Sequence, residues 1–163
     1  MGAASAPPPR ASVPAMDYLK LADRSWPVLG RLMDGHMYLY RATHGLIGHR
    51  IPGLPPMLLL DHVGAKSGVK RTAPLLYIRN GDDVVIVASK GGFPKHPAWF
   101  HNLRANPDTT VQIGSERRAV RARIATPQER ERLWPKAVAA YHDYARYQQR
   151  TDREIPLVIL ERR

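Results

Sequence analysis

The chain of 163 residues has no cysteine, which removes disulfides, a thiolate nucleophile and Cys-based zinc centres together. Its seven histidines are scattered, and no His-Glu-x-x-His or similar spacing sets two of them on one helical face beside a carboxylate. No metal site is expected. Long apolar runs are missing as well. The longest nearly apolar stretch, Ile51 to Leu60, is far shorter than a bilayer requires and contains three prolines. Residues 1–15 are rich in Ala and Pro but lack the apolar core of a signal peptide, so they read as a disordered tail. Acidic residues are scarce: 14 Asp and Glu stand against 25 Lys and Arg, a formal net charge of +11. Such an excess attracts nucleic acid, an anionic membrane surface or a polyanionic ligand. The charge is spread, however, with no block of consecutive cations. No helix-turn-helix, zinc finger or RNA-binding signature accompanies it, so a nucleic-acid partner is not expected.

What is present suffices for one core. A hydrophobic content of 44% in this length supports a single domain, placed at residues 16–163, and falls short of two. Val28, Leu29, Leu32, Met33, His36, Met37 and Tyr40 recur at three- and four-residue steps, which predicts an N-terminal amphipathic helix. Gly45 to Pro56 reads as an irregular connector. Strands are predicted over 57–63, 72–79 and 83–88, the last two joined by Asn80-Gly81, a dipeptide suited to a tight hairpin. A helix over 96–105 follows, stopped by Asn106-Pro107, and then a second hairpin, 109–113 with 116–125, turns at Gly114-Ser115. In its second strand Arg117, Arg121 and Arg123 alternate with apolar residues, as on a solvated face. Thr126-Pro127-Gln128-Glu129 starts another helix with a capping box, which Pro135 is expected to kink or split. The last strand is predicted over 155–160. Six mainly antiparallel strands with surrounding helices indicate a barrel of the α+β class.

Three constellations are candidates for chemistry. Gly64-Ala65-Lys66-Ser67-Gly68-Val69-Lys70-Arg71 joins two strands and offers amides, a hydroxyl and three cations to a phosphate or carboxylate. It is not a Walker loop, and a polar turn with solvated cations explains it equally. Ala88-Ser89-Lys90-Gly91-Gly92 ends a strand, and its paired glycines admit a flat ring close to the backbone, with Trp99 or Phe100 as a wall. A flexible loop beside core aromatics is the plainer reading. Tyr141, Tyr144 and Tyr147 follow at three-residue steps, lining an arc of phenols on a helix or packing a core.

Together and in this order the three resemble the deazaflavin-dependent nitroreductase family, the actinobacterial enzymes that use coenzyme F420. The resemblance runs from about Met57 onward. It rests on Gly-x-Lys-Ser-Gly with Arg71, on Pro74-Leu75 with Tyr77, on Ala88-Ser89-Lys90-Gly91-Gly92, and on Pro97-x-Trp99 with Asn102-Leu103-x-Ala105-Asn106-Pro107. The tyrosines and Thr151-Asp152-Arg153-x-Ile155-Pro156 point to the quinone- and nitroimidazole-reducing branch. Ala65 stands where the family often carries Arg, and Phe100 where Tyr is common.

The resemblance implies a split β-barrel of the FMN-binding-like type. Lys66, Ser67, Gly68, Arg71 and Pro74 would hold the anionic tail of F420. Ala88, Ser89, Lys90, Gly91 and Trp99 would lie near its ring. Tyr141, Tyr144 and Tyr147 would border the substrate, with Tyr144, Tyr141 and Ser89 hydrogen-bonding the acceptor and Tyr144 supplying a proton. It further implies hydride transfer from reduced F420 to a small quinone or nitroaromatic, exchange of the cofactor with a separate F420-reducing dehydrogenase, and a cytoplasmic setting with peripheral contact at the membrane. Two alternatives of other classes are a non-catalytic F420 carrier, which turnover with a quinone would exclude, and a basic nucleic-acid-binding module, which salt-sensitive retention on DNA would favour.

Overall fold

Six antiparallel strands close one barrel in the order β1-β2-β3-β6-β5-β4: β1 Met57–Val63, β2 Lys70–Asn80, β3 Asp83–Val87, β4 Asp108–Ile113, β5 Glu116–Ile124 and β6 Leu157–Arg162. The computed structural model describes Leu32 and residues 34–163, of which His36–Arg163 forms a compact unit of its own. The expected tail, the boundary at residue 16 and the stripe residues Val28, Leu29 and Met33 lie outside the described residues. Residues 34–42 are helical (α1), followed by α2 Ala98–Ala105, α3 Pro127–Ala140 and α4 Asp143–Gln149. Among the described residues no helix is long and apolar enough to cross a membrane, and no cluster of His, Asp or Glu has the arrangement of a metal site.

Strand alternation divides the apolar residues between two cores. Leu58, Leu60, Val84, Ile86, Val111, Val120 and Leu160 point into the barrel, whose interior is completed by Trp99, Phe100 and Leu103 of α2. Val85, Val87, Leu157 and Ile159 point outward under Leu133 and Ala137 of α3 and Tyr144 of α4. β3 is therefore apolar on both faces, as its Val-Val-Ile-Val run requires. Each such side chain contributes about 1.5–3 kcal/mol on burial.

The barrel is closed unevenly. β1 pairs with β2 over seven positions but meets β4 only at Leu59↔Gln112 and Leu60↔Val111. Tyr40 of α1 reinforces that thin seam from outside. Fully buried, its hydroxyl donates to the Met57 carbonyl at 3.0 Å and accepts the Gly114 N–H at 2.8 Å, tying the start of β1 to the β4–β5 turn.

Local sequence signals account for most of these boundaries. Gly81 takes φ +65° as the first residue of the β2–β3 turn, with Asn80 still paired to Asp83. Thr126 and Glu129 form the expected capping box on α3. Three expectations need correction. β6 runs two residues later than predicted, and α2 begins at Ala98 rather than residue 96, because Pro97 serves as its N-cap. α3 continues through Pro135, which is exposed, so the bond it denies to the exposed Glu131 carbonyl falls on the wet side. The break comes instead at Tyr141, the extended C-cap of α3, so the three tyrosines do not share one regular helix.

Candidate functional site

The site begins where two neighbouring strands part. β2 pairs with β3 only from Tyr77↔Ile86 to Asn80↔Asp83. Continuing that register would set Pro74 opposite Ser89, but no ladder forms there, and Lys70–Leu76 of β2 pairs on the β1 side alone. Pro74 is tolerated in the strand because its missing N–H costs no ladder bond on the open side. A fork results between the free edge of β2 and the turn over residues 88–93. At its root is an apolar crevice lined by Leu76, Val87, Pro55 and Tyr144.

On the β1–β2 side of the fork lies the cationic turn. Its backbone is closed by Gly64 N–H to the Val69 carbonyl at 2.9 Å and Gly68 N–H to the Gly64 carbonyl at 2.8 Å, with Gly68 at φ +65°. A Cβ on Gly64 would lie 2.3 Å from the Ser67 hydroxyl oxygen and would turn it away from the Val69 N–H that it accepts. Lys66, Ser67, Lys70 and Arg71 are exposed. Among the described residues no carboxylate pairs with Lys66, Lys70 or Arg71, whereas Arg117, Arg121 and Arg123 of β5 are paired with Asp61, Asp108 and Glu129 respectively. The arginine face of β5 is thus engaged by carboxylates, and the cations of the turn are not.

The turn is fastened to α2 by a buried polar relay in which Asn102 belongs to the family-like motif without an expected role, and His62 carries no sequence signal. The Ala65 N–H donates to Asn102 Oδ1 at 2.9 Å, and Asn102 Nδ2 lies 2.9 Å from His62 Nδ1. An N–H can only donate, so the amide oxygen must face Ala65, and His62 Nδ1 must accept. His62 is therefore neutral with its proton on Nε2. Burial, and then the Arg71 guanidinium, push its pKa below the ordinary value, in agreement with that tautomer.

Opposite, the 88–93 turn reverses the chain after β3. Ser89 is right-handed (φ −73°), while Lys90, Gly91 and Gly92 follow at φ +46°, +64° and +79°. A right-handed residue followed by a left-handed one aims successive amide N–H groups to one side, a nest for an oxygen or anion. A Cβ on Gly91 would meet only Phe93 Cδ2, at 4.0 Å, but a Cβ on Gly92 would lie 2.5 Å from the Tyr147 carbonyl oxygen. Gly92 thereby lets the turn press against α4.

The tyrosines form a cluster rather than an arc. Tyr141 and Tyr144 rings meet edge-on with centroids 5.1 Å apart, and the Tyr141 and Tyr147 hydroxyls are 3.4 Å apart. Tyr144 is 6% exposed and belongs to the outer core; burial raises its pKa well above that of a free phenol. The Tyr147 hydroxyl, followed by burial, does the same for Tyr141. Both are protonated donors at neutral pH. Trp99 is 7% exposed and sits in the barrel interior, edge-on to Phe100. The fork brings together Pro74, Ala88, Ser89, Lys90, Gly91 and Tyr144, with Lys66, Ser67, Gly68 and Arg71 on its adjoining turn, while Trp99 backs it from within.

Known proteins are similar to this chain in sequence and in fold. The sequence matches the F420H(2)-dependent quinone reductase family over residues 32–162. It is 48% identical over 136 residues to an F420H(2)-dependent quinone reductase of Mycobacterium tuberculosis, covering 82% of this chain and 91% of that protein. A solved F420-H2 dependent reductase is similar at 47% identity with a TM-score of 0.61, over 65% of this chain and 94% of that one. A second solved structure, described as a domain-swapped dimer, is 39% identical with a TM-score of 0.63, covering 83% of this chain and 98% of that one. With its six-stranded barrel, forked at β2 and flanked by a cationic turn, the chain belongs to the F420H(2)-dependent quinone reductase family.

Proposed function

We propose that the fork between β2 and the 88–93 turn receives the flat ring of F420, with the anionic tail of the coenzyme on the 64–71 turn. The chain is an oxidoreductase of the F420H2-dependent, quinone-reducing family. The residues fit the coenzyme. Among the described residues no carboxylate pairs with Lys66, Lys70 or Arg71, the amides at Ser89 and Lys90 face one way, and Gly91 leaves room for close approach. The single observation that carries the reading is the juxtaposition of the unpaired β2 edge with these two turns.

When bound, F420H2 supplies the hydride. The protein's part is binding, orientation and exclusion of water. The backbone N–H groups of Ser89, Lys90 and Gly91 would stabilise negative charge on a bound ring, and Ser89 would add a hydroxyl. Tyr141 and Tyr144, held as neutral phenols, donate hydrogen bonds to the acceptor oxygen, and Tyr144 lies nearest the root of the fork. In this reading nitroaromatics are accepted as well as quinones, since both are electron-poor molecules that present an accepting oxygen to the same donors. A separate dehydrogenase regenerates the reduced coenzyme, which exchanges through the open fork. The protein is placed in the cytoplasm, at the inner face of the membrane. Exposed Tyr38, Leu46 and Ile47 on α1 and the connector support that contact, which sedimentation with anionic vesicles tests.

Titrating the purified protein with F420H2 and then adding menadione should give saturable binding followed by oxidation of the coenzyme. Failure of both removes the reading. Tyr144→Phe should lower turnover about tenfold or more with the coenzyme Kd nearly unchanged; equal turnover would remove the proton-donor role.

A further inference from the structure

We infer that Arg153 is a positioning residue that fixes the ring-facing turn and couples it to the tyrosine helix, an inference that rests on the F420 reading above. Arg153 lies between α4 and β6, outside both turns, and its half-buried guanidinium spends its donors on the two ends of the 88–93 turn. Nη2 donates to the Ser89 carbonyl at 2.8 Å and the Ala88 carbonyl at 3.2 Å, while Nε donates to the Phe93 carbonyl at 2.9 Å. Nη1 lies 3.1 Å from His96 Nδ1. Arginine has no acceptor, so His96 must be neutral there. Burial, then the charge of Arg153, hold the His96 pKa below its ordinary value.

Three carbonyls drawn to one planar cation clamp the turn at entry and exit. Within the clamp the Gly92 and Phe93 N–H groups donate back to the Ser89 and Lys90 carbonyls, which leaves the amides of Ser89, Lys90 and Gly91 for the fork. That matters because Lys90 occupies a left-handed conformation without being glycine, a strained state that persists only when its surroundings impose it. No carboxylate pairs with the guanidinium among the described residues, so its charge is directed at the turn itself.

The other end of Arg153 is fixed just as firmly, and by the tyrosine helix. Gln148 of α4 donates from Nε2 to the Arg153 carbonyl at 2.8 Å and accepts the Ile155 N–H on Oε1 at 2.9 Å, gripping the backbone on both sides of Arg153. One continuous hydrogen-bonded path therefore runs from α4, which carries Tyr144 and Tyr147, through Gln148 and Arg153 to Ser89. Gly92 closes the same gap by contact, packed under the Tyr147 carbonyl. The path fixes the spacing between the ring-facing amides and the tyrosine donors, on which a transfer between coenzyme and acceptor depends. A misplacement of about 1 Å can cost on the order of a hundredfold in rate.

Arg153→Lys tests this, because it keeps the charge but cannot bridge three carbonyls. Amide hydrogen exchange at residues 89–93 of the coenzyme-free variant should accelerate at least tenfold, with exchange in β4 and β5 unchanged. Single-turnover oxidation of bound F420H2 by menadione should slow at least tenfold, while Kd for the coenzyme, set mainly at the 64–71 turn, should change less than threefold. Exchange and single-turnover rates both within twofold of wild type would overturn the inference. So would slowing in which Kd rises in proportion, because that is lost binding rather than lost position. Should Arg153→Lys not fold, Gln148→Met removes the tether while sparing the guanidinium, and the same measurements apply with the same outcomes. If wild-type protein itself neither binds nor oxidises F420H2, the functional reading fails; if wild type does both and the variants match it, only the role of Arg153 fails.

Discussion

Arg71 and Arg123 are both arginines at strand positions, yet the structure puts them to opposite uses. Arg123 is held by Glu129 at 2.7 Å and Glu161 at 2.6 Å, whereas Arg71 points its charge outward beside Lys66 and Lys70. An exposed cation without a partner adds little to stability and is available to a ligand. Arg71→Ala should therefore raise the Kd for F420 about tenfold at low salt, the effect shrinking as ionic strength rises, with the thermal midpoint unchanged. Fluorescence titration at two salt concentrations checks it, and equal affinity at low salt would discard the anion role. Arg153 shows a third use, as a scaffold for backbone carbonyls. Its motif is visible in the chain, but its partners at Ala88, Ser89 and Phe93 are some sixty residues away and are main-chain atoms. No residue type marks a carbonyl that needs a donor, so the sequence carries no sign of that role.

Elements built from local signals were legible, and those that depend on distant partners were not. The β2–β3 and β4–β5 hairpins follow from Gly81 and Gly114, and α3 from its capping box. The divergence of β2 from β3 has a single local sign in Thr72–Leu76, Pro74, which cannot donate to a ladder; where the pairing stops depends on the distant 88–93 turn. The tyrosine spacing also misled, since an even three-residue step hides the break at Tyr141–His142. The Ala65–Asn102–His62 relay belongs to this scale, where a helix holds a turn. Asn102→Ala would leave the Ala65 N–H and His62 Nδ1 without partners, costing about 1–3 kcal/mol in urea denaturation. Faster exchange at the Ala65 amide should accompany it. Unchanged exchange would show that the turn is held by its own two backbone bonds alone.

For the whole molecule, the placement of charge makes stability depend on acid. Arg123, then the Thr126 amide, hold the Glu129 carboxyl down at about 2, from an ordinary 4.5. A carboxylate depressed on folding stabilises the protein fully above its unfolded pKa and ceases to do so as pH falls through the folded one. The thermal midpoint should accordingly decline between pH 4.5 and 2, and Glu129→Gln should flatten that part of the curve. A variant with the same slope as wild type would show that other carboxylates govern the acid limb. His62 and His96 act in the same direction at higher pH, since each is held neutral with a lowered pKa. Acidification below their ordinary range favours the unfolded chain, which takes up those protons more readily.

The position of β6 between β3 and β5 has a further consequence, for biosynthesis. Val84 pairs with Leu160 and Ala122 with the same residue from the other side, so the last strand of the barrel in chain order is the keystone of the sheet. Until Leu157–Arg162 has left the ribosome, β3 and β5 are the two free edges of an open five-stranded sheet, and its apolar face stays uncovered. Pairings across so many intervening residues also form slowly. The growing chain therefore passes through a period of exposed strand edges, in which aggregation competes with completion of the barrel.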